Sequence, residues 1–262
     1  MKIKALGHDI CSLFLILAFF GSVGIQAQDN AALTPQQQVN RALQAVDRHL
    51  KAHRTNEARG SLAPVLDEGK ADLVIALGRV LEQEKNYAEA EQKLRRAAEM
   101  SPRDPAPWLH LGSVLTYARQ EDGAKTAYAR ALELARARAD AEPENARAHY
   151  LLGWAQRGMG QYGAAFGSLE RALELQPGLI EALFEQGAVR FFQENWQAAV
   201  QLMTQVIDRD ATYAQAFYYR GYAASRIGRK DLTINDFNRF LELAPNSPEA
   251  QRVRRVVESV SG

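Results

Sequence analysis

The stretch Arg157–Phe166, RGMGQYGAAF, sets Gly158, Gly160 and Gly163 at the spacing G-x-G-x-x-G. Between a strand and a helix, that spacing lets a backbone turn approach a pyrophosphate. The preceding stretch, ARAHYLLGWAQ, instead carries Ala148, Leu151, Leu152 and Ala155 at helical spacing and has few β-branched residues. No strand is expected there, so the glycines read as a bend between two helices. His49 and His53 are four apart on one predicted helix face. That spacing permits a surface metal contact, but no third ligand or general base accompanies it, so an exposed histidine pair is expected. His110 and His149 sit beside packing positions and read as part-buried structural residues. Glu181 and Glu185 lie four apart on one helix rather than opposed across a cleft, the arrangement glycoside chemistry needs. No serine sits in a strand-to-helix elbow. The expectation is a protein that is not an enzyme, with no metal and no cofactor.

The N-terminus sets the compartment. Lys2, Lys4 and His8 form a basic start, Ile10–Phe20 is apolar, and small residues lead to Ile25-Gln26-Ala27. This is the plan of a secretory signal peptide, residues 1–27, cleaved after Ala27. An uncleaved anchor is the alternative, disfavoured because the apolar run is short for a membrane span. Cys11, the single cysteine, lies inside the leader, so neither a lipid anchor nor a disulfide is expected in the exported chain. No second long apolar run follows, so no integral span is expected after cleavage. The 32 basic and 31 acidic side chains become equal in number once Lys2, Lys4 and Asp9 leave. That balance argues against a nucleic-acid partner, which requires a basic excess on some face.

The rest of the chain repeats. Gly78, Gly112, Gly153, Gly187 and Gly221 are separated by 34, 41, 34 and 34 residues. Twelve positions after each comes Ala90, Ala124, Ala165, Ala199 or Thr233. Four later comes a large residue, Leu94, Tyr128, Leu169, Met203 or Phe237, then three later Ala97, Ala131, Ala172, Val206 or Phe240. Small residues let two antiparallel helices approach, and large ones fill the gaps between them.

On these residues the chain resembles the tetratricopeptide repeat family, whose unit is a 34-residue helix-turn-helix. The second copy matches best, with Trp108, Leu111, Gly112, Ala124, Tyr128 and Ala131, and Pro102, Pro177 and Pro245 match the proline that ends a unit. The resemblance implies an all-α fold, an α-solenoid of helix hairpins forming a right-handed superhelix. The expected organisation is a segment 28–70 with a degenerate helical pair, five repeats over 71–247 (71–104, 105–138, 146–179, 180–213, 214–247) and a C-terminal capping helix over 248–262. Seven extra residues between the second and third units lengthen a helix up to Ala141, with Pro143 stopping it. Ser247 and Pro248 read as the start of the capping helix, with an apolar stripe of Val253, Val256, Val257 and Val260. Thr233 and Phe240 replace small residues, so the fifth unit is expected to pack less regularly.

In this family the first helices line the hollow side and face ligand. The positions carried over are Leu109, Ser113, Thr116 and Tyr117; Arg147, Tyr150, Trp154 and Arg157; Glu181, Phe184, Ala188, Phe191 and Phe192; and Gln215, Tyr218, Tyr222 and Arg226. The partner-binding set expected from these is Leu109, Tyr117, Arg147, Tyr150, Trp154, Arg157, Phe184, Phe191, Tyr218, Tyr222 and Arg226. It describes an aromatic groove for a peptide, with arginines at its edge for carboxylates. The clamp by which some members hold a C-terminal carboxylate is absent. Ile75, Leu109, Tyr150, Phe184 and Tyr218 stand where that clamp has Lys, and Arg79, Ser113, Trp154, Ala188 and Tyr222 where it has Asn.

The function expected is a protein-interaction scaffold or adaptor of the bacterial periplasm or cell envelope, with a protein or peptide partner of that compartment. A glycan- or peptide-handling subunit of an envelope biosynthesis or export complex is the alternative. Self-assembly into a homo-oligomer through the aromatic face is a third reading.

Overall fold

The computed structural model describes residues 33–261, without the side chains of the last two. The signal peptide lies outside the described residues. The chain divides into residues 1–41 and Ala42–Gly262, and the second unit contains the repeats. Every regular element among the described residues is helical, comprising a short 3-10 helix (Ala63–Val65) and thirteen α-helices. They are α1 (Pro35–Lys51), α2 (Thr55–Leu62), α3 (Ala71–Gln83), α4 (Tyr87–Met100), α5 (Ala106–Tyr117), α6 (Glu121–Ala141), α7 (Ala146–Gly158), α8 (Tyr162–Leu175), α9 (Ile180–Phe192), α10 (Trp196–Arg209), α11 (Ala214–Arg226), α12 (Lys230–Leu243) and α13 (Ala250–Ser261). The fold is an all-α solenoid. No helix of the described residues is long and apolar enough to cross a membrane.

One packing rule joins each hairpin. A Cβ built on Gly78 would lie 2.7 Å from Leu94, and one on Gly112, Gly153, Gly187 or Gly221 would collide equally with Tyr128, Leu169, Met203 or Phe237. Each first helix therefore lacks a side chain where the second inserts its largest one. These five large residues are at most 9 % exposed. Fully burying such side chains contributes roughly 1.5–3 kcal/mol each.

The turns inside the hairpins share one geometry. His53, Lys85, Arg119, Gly160, Glu194 and Gly228 all have positive φ, between 49° and 75°. The following amide reaches back five residues, as in Asn86 N to Leu81 O at 2.9 Å and Gln161 N to Gln156 O at 2.8 Å. This is a Schellman stop, which satisfies the last free carbonyls of the first helix. Gly160 supplies the left-handed residue in its unit. Gly158 does not lie in the turn, as the sequence suggested, but is the last residue of α7. Its missing side chain admits the Tyr128 ring of the preceding unit, which a Cβ would approach to 2.5 Å.

Three local expectations are corrected. The fifth unit packs tightly: Thr233, Phe237 and Phe240 are no more than 1 % exposed, and the Thr233 hydroxyl donates to Arg229 O at 3.0 Å. Ser247 does not cap the last helix. Its Oγ is buried without a partner, and the helix begins at Ala250. His53 is not on an exposed helical face with His49. It sits in the left-handed turn after α1 with φ 49°, and burial lowers its pKa to about 4. The terminal helix buries Val253 against Phe237, Phe240 and Ala244, with Val256 and Val257 alongside, while Arg252, Arg254 and Arg255 are exposed.

Candidate partner-binding cavity

The first helices α3, α5, α7, α9 and α11 line the hollow side of the repeats, and the side chains there meet across it. Lys51 Nζ at the end of α1 bonds Glu181 Oε1 of α9 at 2.6 Å and Asp47 Oδ2 at 2.8 Å. His53 Nε2 lies 3.3 Å from Gln215 Nε2 of α11. Tyr117 at the end of α5 donates its hydroxyl to Glu249 Oε1 at 3.3 Å. The hollow is thus bridged by the protein's own side chains instead of forming one open trough.

What remains is a cavity of about 250 Å³. Its apolar walls are Trp154, Phe184, Tyr213 and Tyr219, and its polar lining includes Lys51, His53, Arg79, Glu82, His110, Ser113, Arg157, Glu185 and Glu249. A second space of about 610 Å³ shares Trp154, Phe184 and Tyr213 with it and adds Asp47, Arg147, Tyr150 and Glu181. Trp154 is held by His110, edge-on at 4.9 Å, and by Tyr150 at 6.0 Å. Phe184 stacks on Tyr213 at 4.8 Å.

Most charges on these walls are matched. Arg157 makes a two-point pair with Glu185. Burial works against the Arg157 charge, but the Glu185 carboxylate overrides it and holds the guanidinium protonated. Arg79 Nη2 bonds Asp47 Oδ1 at 2.8 Å. Burial would raise the Asp47 carboxyl, yet the Arg79 and Lys51 charges keep it below the usual range. Glu82 differs. Burial, opposed by a 2.6 Å hydrogen bond from Ser113 Oγ and by the charge of Arg79, pushes its pKa up to about 7, and Glu249 adds to the rise. Burial takes His110 well below the ordinary histidine value. No group of three or more potential metal ligands occurs among the described residues.

The expected binding residues separate into three sets. Tyr117, Trp154, Arg157 and Phe184 line the first cavity, and Arg147 and Tyr150 the second. Phe191, Tyr218 and Tyr222 leave both. Phe191 packs against Tyr219 at 4.8 Å, Trp196 at 5.3 Å and Tyr222 at 5.6 Å, while Tyr218 lies 5.4 Å from Phe240. Arg226 covers the Trp196 ring at 5.3 Å, and Arg252 donates to Tyr222 Oη at 2.8 Å. Leu109 is fully buried and presents nothing to a ligand. Among the remaining family positions, Ser113 and Gln215 line the first cavity and Glu181 the second. Thr116 turns its hydroxyl back to Gly112 O at 2.8 Å, Ala188 is buried and Phe192 stacks on Tyr162 at 6.0 Å.

Sequence reasoning missed Lys51, Glu82, Tyr213, Tyr219 and Glu249, and weighed Glu185 only as half of an acid pair. Glu82 was within reach, because it occupies in the first unit the register that Arg157 occupies in the third. Glu249 lies beyond the repeats and has no register to betray it.

A solenoid of helix hairpins whose hollow side carries a lined cavity defines a protein-interaction scaffold. Two family models, both described as "Tetratricopeptide repeat", match the chain, one over residues 104–178 and the other over 43–105 and 184–248. The chain belongs to the tetratricopeptide repeat family. No curated protein matches it in sequence. Among solved structures it is similar to TTC0263, a thermophilic TPR protein of Thermus thermophilus, at 19% identity and TM-score 0.55, covering 73% of this chain and 99% of that one. It is also similar to a chain of the APC/C hetero-tetramer Cut9–Hcn1, at 18% identity and TM-score 0.53, covering 90% of this chain and 44% of that one. At these identities the likeness concerns the fold.

Proposed function

We propose that the protein is an exported adaptor of the bacterial periplasm or cell envelope, which holds a segment of a protein partner on its hollow side. The observation that carries this reading is the cavity walled by Trp154, Phe184, Tyr213 and Tyr219 and floored by fixed ion pairs. Aromatic anchors in a desolvated pocket supply most of the energy of a protein interface. The ion pairs hold the walls in place before a ligand arrives, which lowers the ordering cost of binding. Because the protein's own side chains bridge the hollow, the cavity suits one or two inserted partner side chains better than a long peptide threaded through it. The basic and apolar leader supports a site of action outside the cytoplasm. Recovery of partners from envelope extracts, wild type against Trp154→Ala, tests the site, and unchanged recovery refutes it. Intact mass of the exported protein tests cleavage after Ala27.

A glycan-handling role draws on the same cavity. Glu82 and Glu249 are two carboxylates on its lining, and Trp154 and Tyr117 offer ring faces to a sugar. Turnover of cell-wall glycan fragments by wild type, lost in Glu82→Gln, would decide for that role.

A further inference from the structure

We propose that the end of the first cavity formed by Glu82, Tyr117 and Glu249 receives a basic side chain, lysine or arginine, from the protein partner. This rests on the adaptor reading above and adds the chemistry of the captured group.

The charges on the cavity decide the sign. Its cations are Lys51, Arg79 and Arg157, and each is already bonded to a carboxylate: Lys51 to Asp47 and Glu181, Arg79 to Asp47, Arg157 to Glu185. His53 and His110 are neutral near pH 7, burial having lowered both. Glu82 and Glu249 remain, and neither forms an ion pair among the described residues. Glu82 accepts one hydrogen bond, from Ser113. Glu249 accepts from Tyr117 through Oε1, while its Oε2 is buried with no partner. A buried carboxylate oxygen without a donor is costly, and a cation bearing several N–H groups can supply donors to both residues at once. An acidic group would be repelled, and a neutral donor could bond the oxygens but would leave the carboxylate charge unmatched.

The walls fit the same occupant. Tyr117, which lines the cavity, is 42% exposed and stacks parallel on Tyr87 at 6.3 Å. Tyr219 and Trp154 line the interior. Aromatic faces attract a cation and also cover the methylene stem that carries it. The two carboxylates come from α3 and from the residue just before α13, so a captured cation would tie the first repeat to the C-terminal cap.

The test uses Nα-acetyl-lysine methylamide as probe and its norleucine counterpart as the uncharged control, titrated into the protein while the Trp154 indole N–H signal is followed by NMR. A saturable shift with the lysine probe is expected, with the norleucine compound weaker by about tenfold or more. Glu82→Gln and Glu249→Gln are each expected to weaken lysine binding by about tenfold, whereas Glu99→Gln, an exposed carboxylate off the cavity, leaves it unchanged. Helical spectra of the variants report whether they fold, and Glu249→Asp provides a milder change at the same position. Equal response to norleucine, unaltered binding in Glu249→Gln, or no saturable shift overturns the proposal. Partner recovery that survives Glu82→Gln and Glu249→Gln leaves the adaptor reading standing and removes only the basic-side-chain assignment.

Discussion

Lys51 and Glu181 stand 130 positions apart in the chain and meet at 2.6 Å across the hollow side of the repeats. Lys51 also bonds Asp47, which in turn holds Arg79. The cluster therefore links α1, α3 and α9 through side chains. Both ends of the contact are largely shielded, with Lys51 and Glu181 side chains 15% and 26% exposed.

Breaking this bridge should loosen the closure of the hollow. Lys51→Met is expected to cost about 1–3 kcal/mol, between the values of exposed and buried pairs. Urea unfolding of Lys51→Met, Glu181→Gln and the double variant would measure it. Additive costs would show that the two residues do not interact in solution.

Glu82 should leave a mark on the pH dependence of stability. Its folded pKa of about 7 lies above the ordinary 4.5, so the folded state keeps a proton that the unfolded chain releases. Stability is then lost as pH rises from 4.5 to 7 and stays lower beyond, by an amount on the order of 2 kcal/mol. His53 opposes this trend. Its pKa, lowered from 6.5 to about 4, makes stability rise over that interval. The Glu82 contribution therefore appears in a difference: Glu82→Gln should gain on wild type between pH 5 and pH 8 in denaturant midpoint. A constant offset at all pH values would contradict a carboxyl whose pKa is raised by burial.

The three glycines of the G-x-G-x-x-G stretch should respond unequally to alanine. A Cβ at Gly158 strikes Tyr128 at 2.5 Å, whereas at Gly163 it meets nothing within 4 Å. Gly158→Ala is expected to cost about 1–3 kcal/mol through overpacking. Gly160→Ala forces a side chain into a left-handed backbone at φ 73° and should cost about 1 kcal/mol. Gly163→Ala, inside α8, should stabilise by roughly 0.5–1 kcal/mol. Thermal melts of the three variants give the order directly.

Arg220 and Asp236 pair inside the fifth unit through two bonds of 2.8 and 2.7 Å, with Asp236 only 2% exposed. Burial raises the Asp236 carboxyl despite the arginine, so the pair is carried at a desolvation cost. Asp236→Ala strands the guanidinium and is expected to lose about 3–5 kcal/mol. Replacing both members by apolar residues should lose much less. Equal losses would mean that the pair itself, and not its stranded half, supplies the stability.

The fold was legible because its information is local. A glycine and the large residue sixteen positions later belong to one hairpin, and the stop between the two helices needs only a few residues in sequence. Leu109 shows the limit. Register placed it with Tyr150, Phe184 and Tyr218, yet Leu109 is fully buried and Tyr150 is 8% exposed, while Phe184 lines the cavity and Tyr218 packs on Phe240 of α12. Equal register gives an equal starting direction from the helix. It does not give equal surroundings, because each unit's neighbours differ in side-chain size.

By itself the sequence determined that this protein is a series of stacked helical hairpins with small-to-large packing. Those properties depend on residue type and on spacing within one or two units. Only the tertiary structure decided that Lys51 meets Glu181, that His53 meets Gln215 and that Tyr117 meets Glu249. Contacts across 130 or more residues depend on the small rotation of each hairpin on the next. That rotation accumulates over several units, and no single repeat encodes it.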